Sequence, residues 1–446
     1  MALTGIQIFK LLPKTNCGEC KYPTCLAFAM ALASGKTEID ACPHVTEEAR
    51  GQLSEASAPP IRQLSIGDGE YEIKIGGETV LFRHEKTFFN QPGLAILITD
   101  AMDEEETNRR FTKVGLFQYD RIGTILRPEL VAIKSTGNDE KFLSIVRKAA
   151  GEPYGIILMT PKPSLMKEAL EISRAKRPLI YAATSENIEE FGFLAKAFNC
   201  PLAVKGNGIE ELASMTERLT SMGLKDLVLD TSSRGTKESF QDQVIIRRAA
   251  LVGKYKPLGF PTITFPCEMT DSLMKETLIA SCFVAKYAGI IVLSDFEGES
   301  IFPLLLQRMN IYTDPQRPMT TEEGIYPINN PDNASPVFVT CNFSLTYFIV
   351  SGEIENSRVP SWLCVMDTEG LSVLTAWAAG KFLGDGVGAF IKKSGIAEKV
   401  DHKKLIIPGY AAAILGELEE ELSDWEILVG PREAAHIPAY LKMWKA

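Results

Sequence analysis

Histidine is scarce in this chain of 446 residues: only His44, His84, His402 and His436 occur, and no two stand in a His-x-x-x-His or comparable spacing. Mononuclear metal sites built on imidazole are therefore not expected. Basic runs are missing as well, since 47 Lys and Arg stand against 57 Asp and Glu for a net charge of −10. With no aromatic-plus-arginine platform either, a nucleic-acid partner is not expected. No apolar run approaches the ~20 residues of a membrane span, and no signal-like segment precedes the first motif, so no membrane association and a reducing, cytoplasmic setting are expected. No phosphate-cradling glycine run follows any strand-like segment, Gly206-Asn207-Gly208 being too short. Cysteine is thin over most of the chain: Cys200, Cys267, Cys282, Cys341 and Cys364 occur singly and read as unpaired core thiols rather than disulfides.

Against that background four cysteines crowd into 26 residues. The stretch Thr15-Asn16-Cys17-Gly18-Glu19-Cys20-Lys21-Tyr22-Pro23-Thr24-Cys25, completed by Cys42-Pro43, has the spacing C-x2-C-x4-C-x16-C. A cuboidal 4Fe-4S cluster needs four thiolates converging from several directions, which three cysteines in a tight loop plus one returning from a helix supply. Gly18 lets the backbone curl between the first two ligands, and Cys-Pro at the fourth matches the ending of ferredoxin-type runs. Zinc is the competing reading, but a zinc knuckle brings two short-spaced pairs and here only the first is short. Residues 5–12 and 26–33 have helical spacing, the second ended by Ser34-Gly35, in a small domain (1–57) held together mainly by its metal centre. Residues 54–60, with Pro59-Pro60, read as a semi-extended linker on which the cluster can swing.

Length and a 45% hydrophobic content accommodate about three domains. Residues 58–92 hold the linker and a β-hairpin, in which two alternating runs over 71–83 flank Gly76-Gly77. Over 93–314, eight short apolar segments (94–98, 130–133, 155–159, 179–183, 202–204, 227–229, 262–265, 290–293) alternate with helical stretches, the pattern of a TIM-like (β/α)8 barrel. A doubly wound sheet is the alternative. The strand ends are polar; Asp230 and Lys205 form a candidate acid-base pair, set against a solvated rim or docking face. Pro315, Pro318, Pro327, Pro331 and Pro336 mark a second linker, 315–335. The remainder, 336–446, reads as an open, Rossmann-like α/β domain with strands at 337–340, 362–366, 405–407 and 426–429 and ligands at the strand ends. Its best ligand candidate is the junction at 364–380, where Gly370 permits close backbone approach and a small-residue helix begins with free amides. An ordinary strand-helix turn is the alternative there. Gly384-Asp385-Gly386-Val387-Gly388 reads as a loop.

The cysteine motif, the proline linker, the barrel-like middle and the C-terminal Thr368-Glu369-Gly370-Leu371-Ser372-Val373-Leu374-Thr375-Ala376-Trp377 together resemble one family, over essentially the whole chain. It is that of the large (gamma) subunits of corrinoid iron-sulfur proteins of the reductive acetyl-CoA pathway. The resemblance implies a methyl carrier: the Co(I) form of a cobamide accepts a methyl group from methyltetrahydrofolate through a separate methyltransferase and donates it to the nickel site of acetyl-CoA synthase/CO dehydrogenase, while the cluster reactivates Co(II). It implies a small-subunit partner in an obligate heterodimer, and a reductive activator. Carried over by motif, Cys17, Cys20, Cys25 and Cys42 are cluster ligands, and Gly370, Leu371, Ser372, Val373 and Thr375, with Thr340, Thr346 and Ala434, line the corrinoid site. No side chain is required as a catalytic acid or base. The Asp-x-His-x-x-Gly pattern that places a histidine under cobalt is absent, so a base-off corrinoid without a protein ligand is expected. Access for two methyl-transfer partners would come from swinging of the C-terminal domain on the 314–336 segment. Two other readings remain: an iron-sulfur electron-transfer scaffold without corrinoid, and a barrel that is itself a pterin-dependent methyltransferase.

Overall fold

The computed structural model describes residues 5–33, 37, 39–46, 49, 59–67, 69, 72–121, 124–314 and 318–444. Two compact units emerge, one of Met1–Phe117 with Arg127–Tyr312 and the other of Gln118–Leu126 with Thr313–Ala446.

In the first unit, helices α1 (Gly5–Leu11) and α2 (Cys25–Ala33) bracket the cysteine loop. The expected stop at Ser34-Gly35 and most of the linker over 54–60 lie outside the described residues. Strands β1 (Leu64–Ile66) and β2 (Ile73–Ile75) form the antiparallel hairpin. It stands earlier in the chain than the run around Gly76-Gly77 suggests: both glycines follow β2 at positive φ, and residues 79–83 are in no strand. The reason is a buried charge. Beyond the glycines the chain turns inward so that Glu78 meets Arg247, itself 2% exposed, at 3.0 Å.

The barrel follows from β3 (Gly93–Thr99), after which the chain makes a short hairpin, β4 (Tyr119–Arg121) with β5 (Thr124–Leu126), that belongs to the second unit. The other barrel strands are β6 (Leu130–Lys134), β7 (Gly155–Met159), β8 (Leu179–Ala183), β9 (Leu202–Lys205), β10 (Leu227–Asp230), β11 (Ile263–Thr264) and β12 (Ile290–Leu293). All eight pair in parallel in the order β10-β9-β8-β7-β6-β3-β12-β11, and a bridge from Leu229 to Thr262 joins β10 to β11. The expected (β/α)8 barrel is thereby closed. Leu64, Ile66 and Ile75 of the hairpin share one buried core with Leu130, Ala132, Ile157 and Val292, so the hairpin stoppers the end at which the strands begin. Cys200 is buried as expected, whereas Cys282 is exposed on the outer helix Leu273–Ala285 and is no core thiol.

The second unit is an open five-stranded sheet of β13 (Gly324–Ile328), β14 (Val337–Cys341), β15 (Ser361–Met366), β16 (Lys404–Ile407) and β17 (Glu426–Val429), ordered β13-β15-β14-β16-β17. β13 falls inside the segment read as a linker; it is an antiparallel edge strand, where Pro327 is tolerated because one side of the strand needs no ladder bond. The Gly384-Asp385-Gly386-Val387-Gly388 run is no loop but opens the helix Gly384–Ser394. A Cβ on Gly384 would lie 2.7 Å from the Leu418 amide nitrogen, and one on Gly388 would lie 2.8 Å from Glu421 Cβ. These glycines let two helices touch. Among the described residues no helix is long and apolar enough to cross a membrane.

Candidate functional sites

The cysteine loop is a chain of reversals. Lys14, Asn16, Gly18 and Lys21 all take positive φ, and Lys21 N–H closes a turn on the Gly18 carbonyl at 2.9 Å. Asn16 locks the two ends together: its Oδ1 accepts the Cys25 N–H at 2.8 Å, while its own N–H donates to Cys25 Sγ at 3.4 Å. Thr24 caps α2 by accepting the Ala27 N–H, which fixes Cys25 as the first residue of the helix. Cys42 returns from the 3-10 turn Ile39–Ala41. Cys20, Cys25 and Cys42 are buried in one small core with Ile8, Leu12, Phe28 and Ala29, and Cys17 stands exposed at its edge.

Three thiols in an apolar core without disulfides, one already receiving an N–H, make a donor set suited to an iron-sulfur cluster. Thiolates bind the irons, and N–H···S bonds tune them. A mixed set, Cys17, Glu19 and His44, also has ligand atoms within 4.8 Å of one another. It is exposed and leaves three buried thiols unused.

The second site lies where the order of the open sheet reverses. The chain leaves β14 for β15 on one side and later returns to β16 on the other, so a crevice opens beyond the carboxyl ends of β14 and β16, where open α/β sheets take ligands. A cleft of about 260 Å³ occupies that place. Thr340, Thr346, Ser372, Val373 and Ala434 line it, as do Phe338, Ile349, Val350, Leu374, Pro408, Tyr410, Arg432 and Ile437. Thr340 is 1% exposed, and its hydroxyl has no hydrogen-bond partner among the described residues.

Gly370, Leu371 and Thr375 are not on that wall. The Gly370 N–H donates to Asn342 Oδ1 at 3.0 Å, and a Cβ there would lie 2.8 Å from Thr320 Cγ2. Its positive φ serves the turn, and its amide is already engaged. Leu371 packs into the core of the unit, and the Thr375 hydroxyl bonds Ser372 at 3.0 Å. The helix that starts there, Val373–Ala378, has 6 residues, too short for its free amides to form an anion site. Buried Asn342 organises the turn, its Oδ1 accepting from Thr368 N–H, Thr368 Oγ1 and Gly370 N–H at 3.0 Å each. Nothing in the local sequence marks it. Burial pushes the Cys364 thiol up to about 12, leaving an inert core group.

His402 stands before β16, at the end of the strand away from the cleft. Its Nε2 pairs with the Ser335 carbonyl at 2.9 Å and its Nδ1 accepts the Lys404 N–H at 3.2 Å. Among the described residues lining the cleft there is no His, Cys, Met, Asp or Glu.

At the barrel mouth Asp230 does not pair with Lys205. Its two oxygens accept from Ser232 N–H, Tyr181 Oη and both terminal nitrogens of Arg234. Arg234 also reaches Glu268, which Lys134 holds from the other side, and it lies 4.5 Å over the Phe265 ring. Burial opposes the charge of Glu268, yet the bonds from Lys134 and Arg234 leave it below the usual carboxylate range. Burial and Asp230 together push the Tyr181 phenol far up. Asp230, Arg234, Glu268, Lys134 and Tyr181 are thus all engaged with one another.

Residues 63–441 match the family described as the CO dehydrogenase/acetyl-CoA synthase delta subunit, and residues 12–44 match a putative Fe-S cluster family. The corrinoid/iron-sulfur protein large subunit of Moorella thermoacetica is 43% identical over 444 residues, covering 99% of both chains. The acetyl-CoA decarbonylase/synthase complex subunit gamma of Methanopyrus kandleri is 35% identical, covering 99% of this chain and 97% of that one. That of Methanothermobacter thermautotrophicus is 34% identical, covering 99% of both.

Proposed function

Because the chain belongs to the family of corrinoid/iron-sulfur protein large subunits and acetyl-CoA decarbonylase/synthase gamma subunits, we propose that it is a methyl-group carrier. In this reading it binds a base-off corrinoid in the switch-point cleft and a 4Fe-4S cluster on Cys17, Cys20, Cys25 and Cys42. One observation carries the corrinoid assignment: the buried hydroxyl of Thr340, without a partner among the described residues, in a mostly apolar cleft. A buried hydroxyl without a partner is costly, and a ligand with peripheral amides supplies one.

The bound corrinoid supplies the cobalt nucleophile for methyl transfer, and the bound cluster supplies low-potential electrons that restore it. This chain's residues bind, orient and exclude. Thr340 and Thr346 from the β14 side, Ser372 and Val373 from the junction and Ala434 from the loop after β17 hold the ligand. Gly370, Leu371 and Thr375 keep the junction in shape. Among the described residues lining the cleft there is no His, Cys, Met or carboxylate that would ligate a bound cobalt, which supports the base-off reading.

The cleft is open on one side, so a second surface could complete the enclosure of a large ligand. Leu345, Phe348, Ile349, Leu374 and Trp377 stay between 43% and 52% exposed in the same unit, an apolar surface suited to a small-subunit partner. A methyltetrahydrofolate methyltransferase as donor, acetyl-CoA synthase/CO dehydrogenase as acceptor and a reductive activator complete the proposal. The mutual pairing of Asp230, Arg234, Glu268 and Lys134 at the barrel mouth speaks for a structural role of these groups rather than a pterin site.

Metal analysis and an absorbance spectrum of anaerobically purified protein, co-expressed with the small subunit, test the reading. Roughly four irons and one cobalt per chain are expected, with a base-off corrinoid band. Iron without cobalt, even with cobamide supplied, would leave an electron-transfer scaffold.

A further inference from the structure

Arg432 is the only charged residue among the described residues lining the cleft. It has no carboxylate partner among them either. The neighbouring Glu433 is taken, its Oε1 accepting the Tyr410 hydroxyl at 2.7 Å, and the guanidinium instead lies 6.0 Å over the Tyr410 ring. This placement is built into the fold. Tyr410 and Arg432 come from the loops after the adjacent strands β16 and β17, and those loops touch through their backbones at Gly409. The Gly409 N–H donates to the Pro431 carbonyl at 3.1 Å, and a Cβ there would lie 2.6 Å from the Gly430 oxygen and 2.7 Å from the Arg432 nitrogen. An exposed cation without an ion pair among the described residues is thus held at the edge of an otherwise neutral wall.

A cobamide carries an anion of its own. The corrin periphery bears neutral amides, whereas the nucleotide loop contains one phosphodiester, and in the base-off form the base at the end of that loop no longer coordinates cobalt, which frees the loop to meet protein. Among the described residues lining the cleft, Arg432 is the one cation that can meet it. We propose that Arg432 is a specificity residue that pairs with the phosphodiester of the cobamide nucleotide loop, with Tyr410 and Glu433 positioning it; the assignment rests on the corrinoid reading above. Arginine suits the task, since its fork meets two phosphate oxygens at once.

The test compares two probes on the full chain co-purified with the small subunit and stripped of corrinoid: hydroxocobalamin, which has the nucleotide loop, and diaquocobinamide, which lacks it. Dissociation constants come from the corrinoid absorbance change and from quenching of tryptophan fluorescence. The wild type should bind the cobamide at least about tenfold more tightly, with the preference shrinking as salt rises. Arg432→Gln should abolish that preference and leave cobinamide binding unchanged, and Arg432→Lys should retain part of it. Equal loss for both probes in Arg432→Gln, or no loss for either, overturns the assignment while the cofactor reading stands. A wild type that binds neither probe overturns both.

Discussion

Thr340→Val separates a ligand-facing hydroxyl from a merely buried one. In the free chain the Thr340 hydroxyl is desolvated and unpaired, so valine, nearly the same in shape, removes a liability of about 1–2 kcal/mol. The unit should therefore become more stable. All four tryptophans, Trp362, Trp377, Trp425 and Trp444, lie in the second unit, so a fluorescence melt reports on it selectively. For a unit of this size the gain corresponds to roughly 3–6 °C in Tm. The same substitution removes one hydrogen bond to the ligand, and corrinoid affinity should fall by up to about tenfold. Opposite signs for the two readouts are the signature. Thr321→Val is the control, because that hydroxyl is also buried and unpartnered but does not line the cleft; it should raise Tm without weakening the corrinoid complex. An unchanged or lowered Tm for Thr340→Val, or a raised Tm with unaltered affinity, refutes the reasoning.

Gly409→Ala should drive apart the loops after β16 and β17, because its Cβ would meet backbone rather than a yielding side chain. A loss of about 1–3 kcal/mol in the tryptophan melt and weaker corrinoid binding are expected. For Glu268 the folded pKa is depressed, so its contribution to barrel stability is present above the unfolded value and is lost as pH falls through the folded one. Glu268→Gln should flatten the acid-side decline of the far-ultraviolet melt between about pH 5 and pH 3 while lowering stability at neutral pH; an unaltered pH profile counts against the network. A short Gly-Ser insertion after Asp314 should leave methyl-transfer rates within about twofold of wild type, against the expectation of a single swinging linker.

What could be read in advance follows physical lines. The barrel strands are parallel and covered on both faces, so segments such as Ile156-Ile157-Leu158 appear as unbroken apolar runs. β13 escaped notice because an antiparallel edge strand tolerates Pro327 and half-exposed side chains, which together look like linker. The three-residue strands β4 and β5 are too short to carry a period. At Gly384 and Gly388 the local signal for a loop was outweighed by a helix-helix contact that only the tertiary fold reveals. In the cleft, the lining residues Thr340, Thr346, Ser372, Val373 and Ala434 are legible through the family resemblance. Tyr410 and Arg432 depend on β16 and β17 being neighbours, information no short stretch of sequence holds. Gly370 reads in the sequence as a place for ligand approach, whereas its amide serves the Asn342 turn.

The connectivity also bears on how such a carrier would move. A swing on residues 314–336 assumes that one strand of chain joins the second unit to the rest, but the chain passes between the units after Phe117, before Arg127 and again after Tyr312. Nor is the later segment free. Residues of β13 pair with β15 from Gly324 to Ile328, Thr321 N–H donates to the Asn342 carbonyl, and Ser344 N–H donates to the Met319 carbonyl. The two units are thus joined at three crossings of the chain rather than at one. Loosening one crossing leaves the other two in control. That is why the insertion after Asp314 should change the rate so little, and why a large effect would show that the hairpin Tyr119–Leu126 does not travel with the second unit.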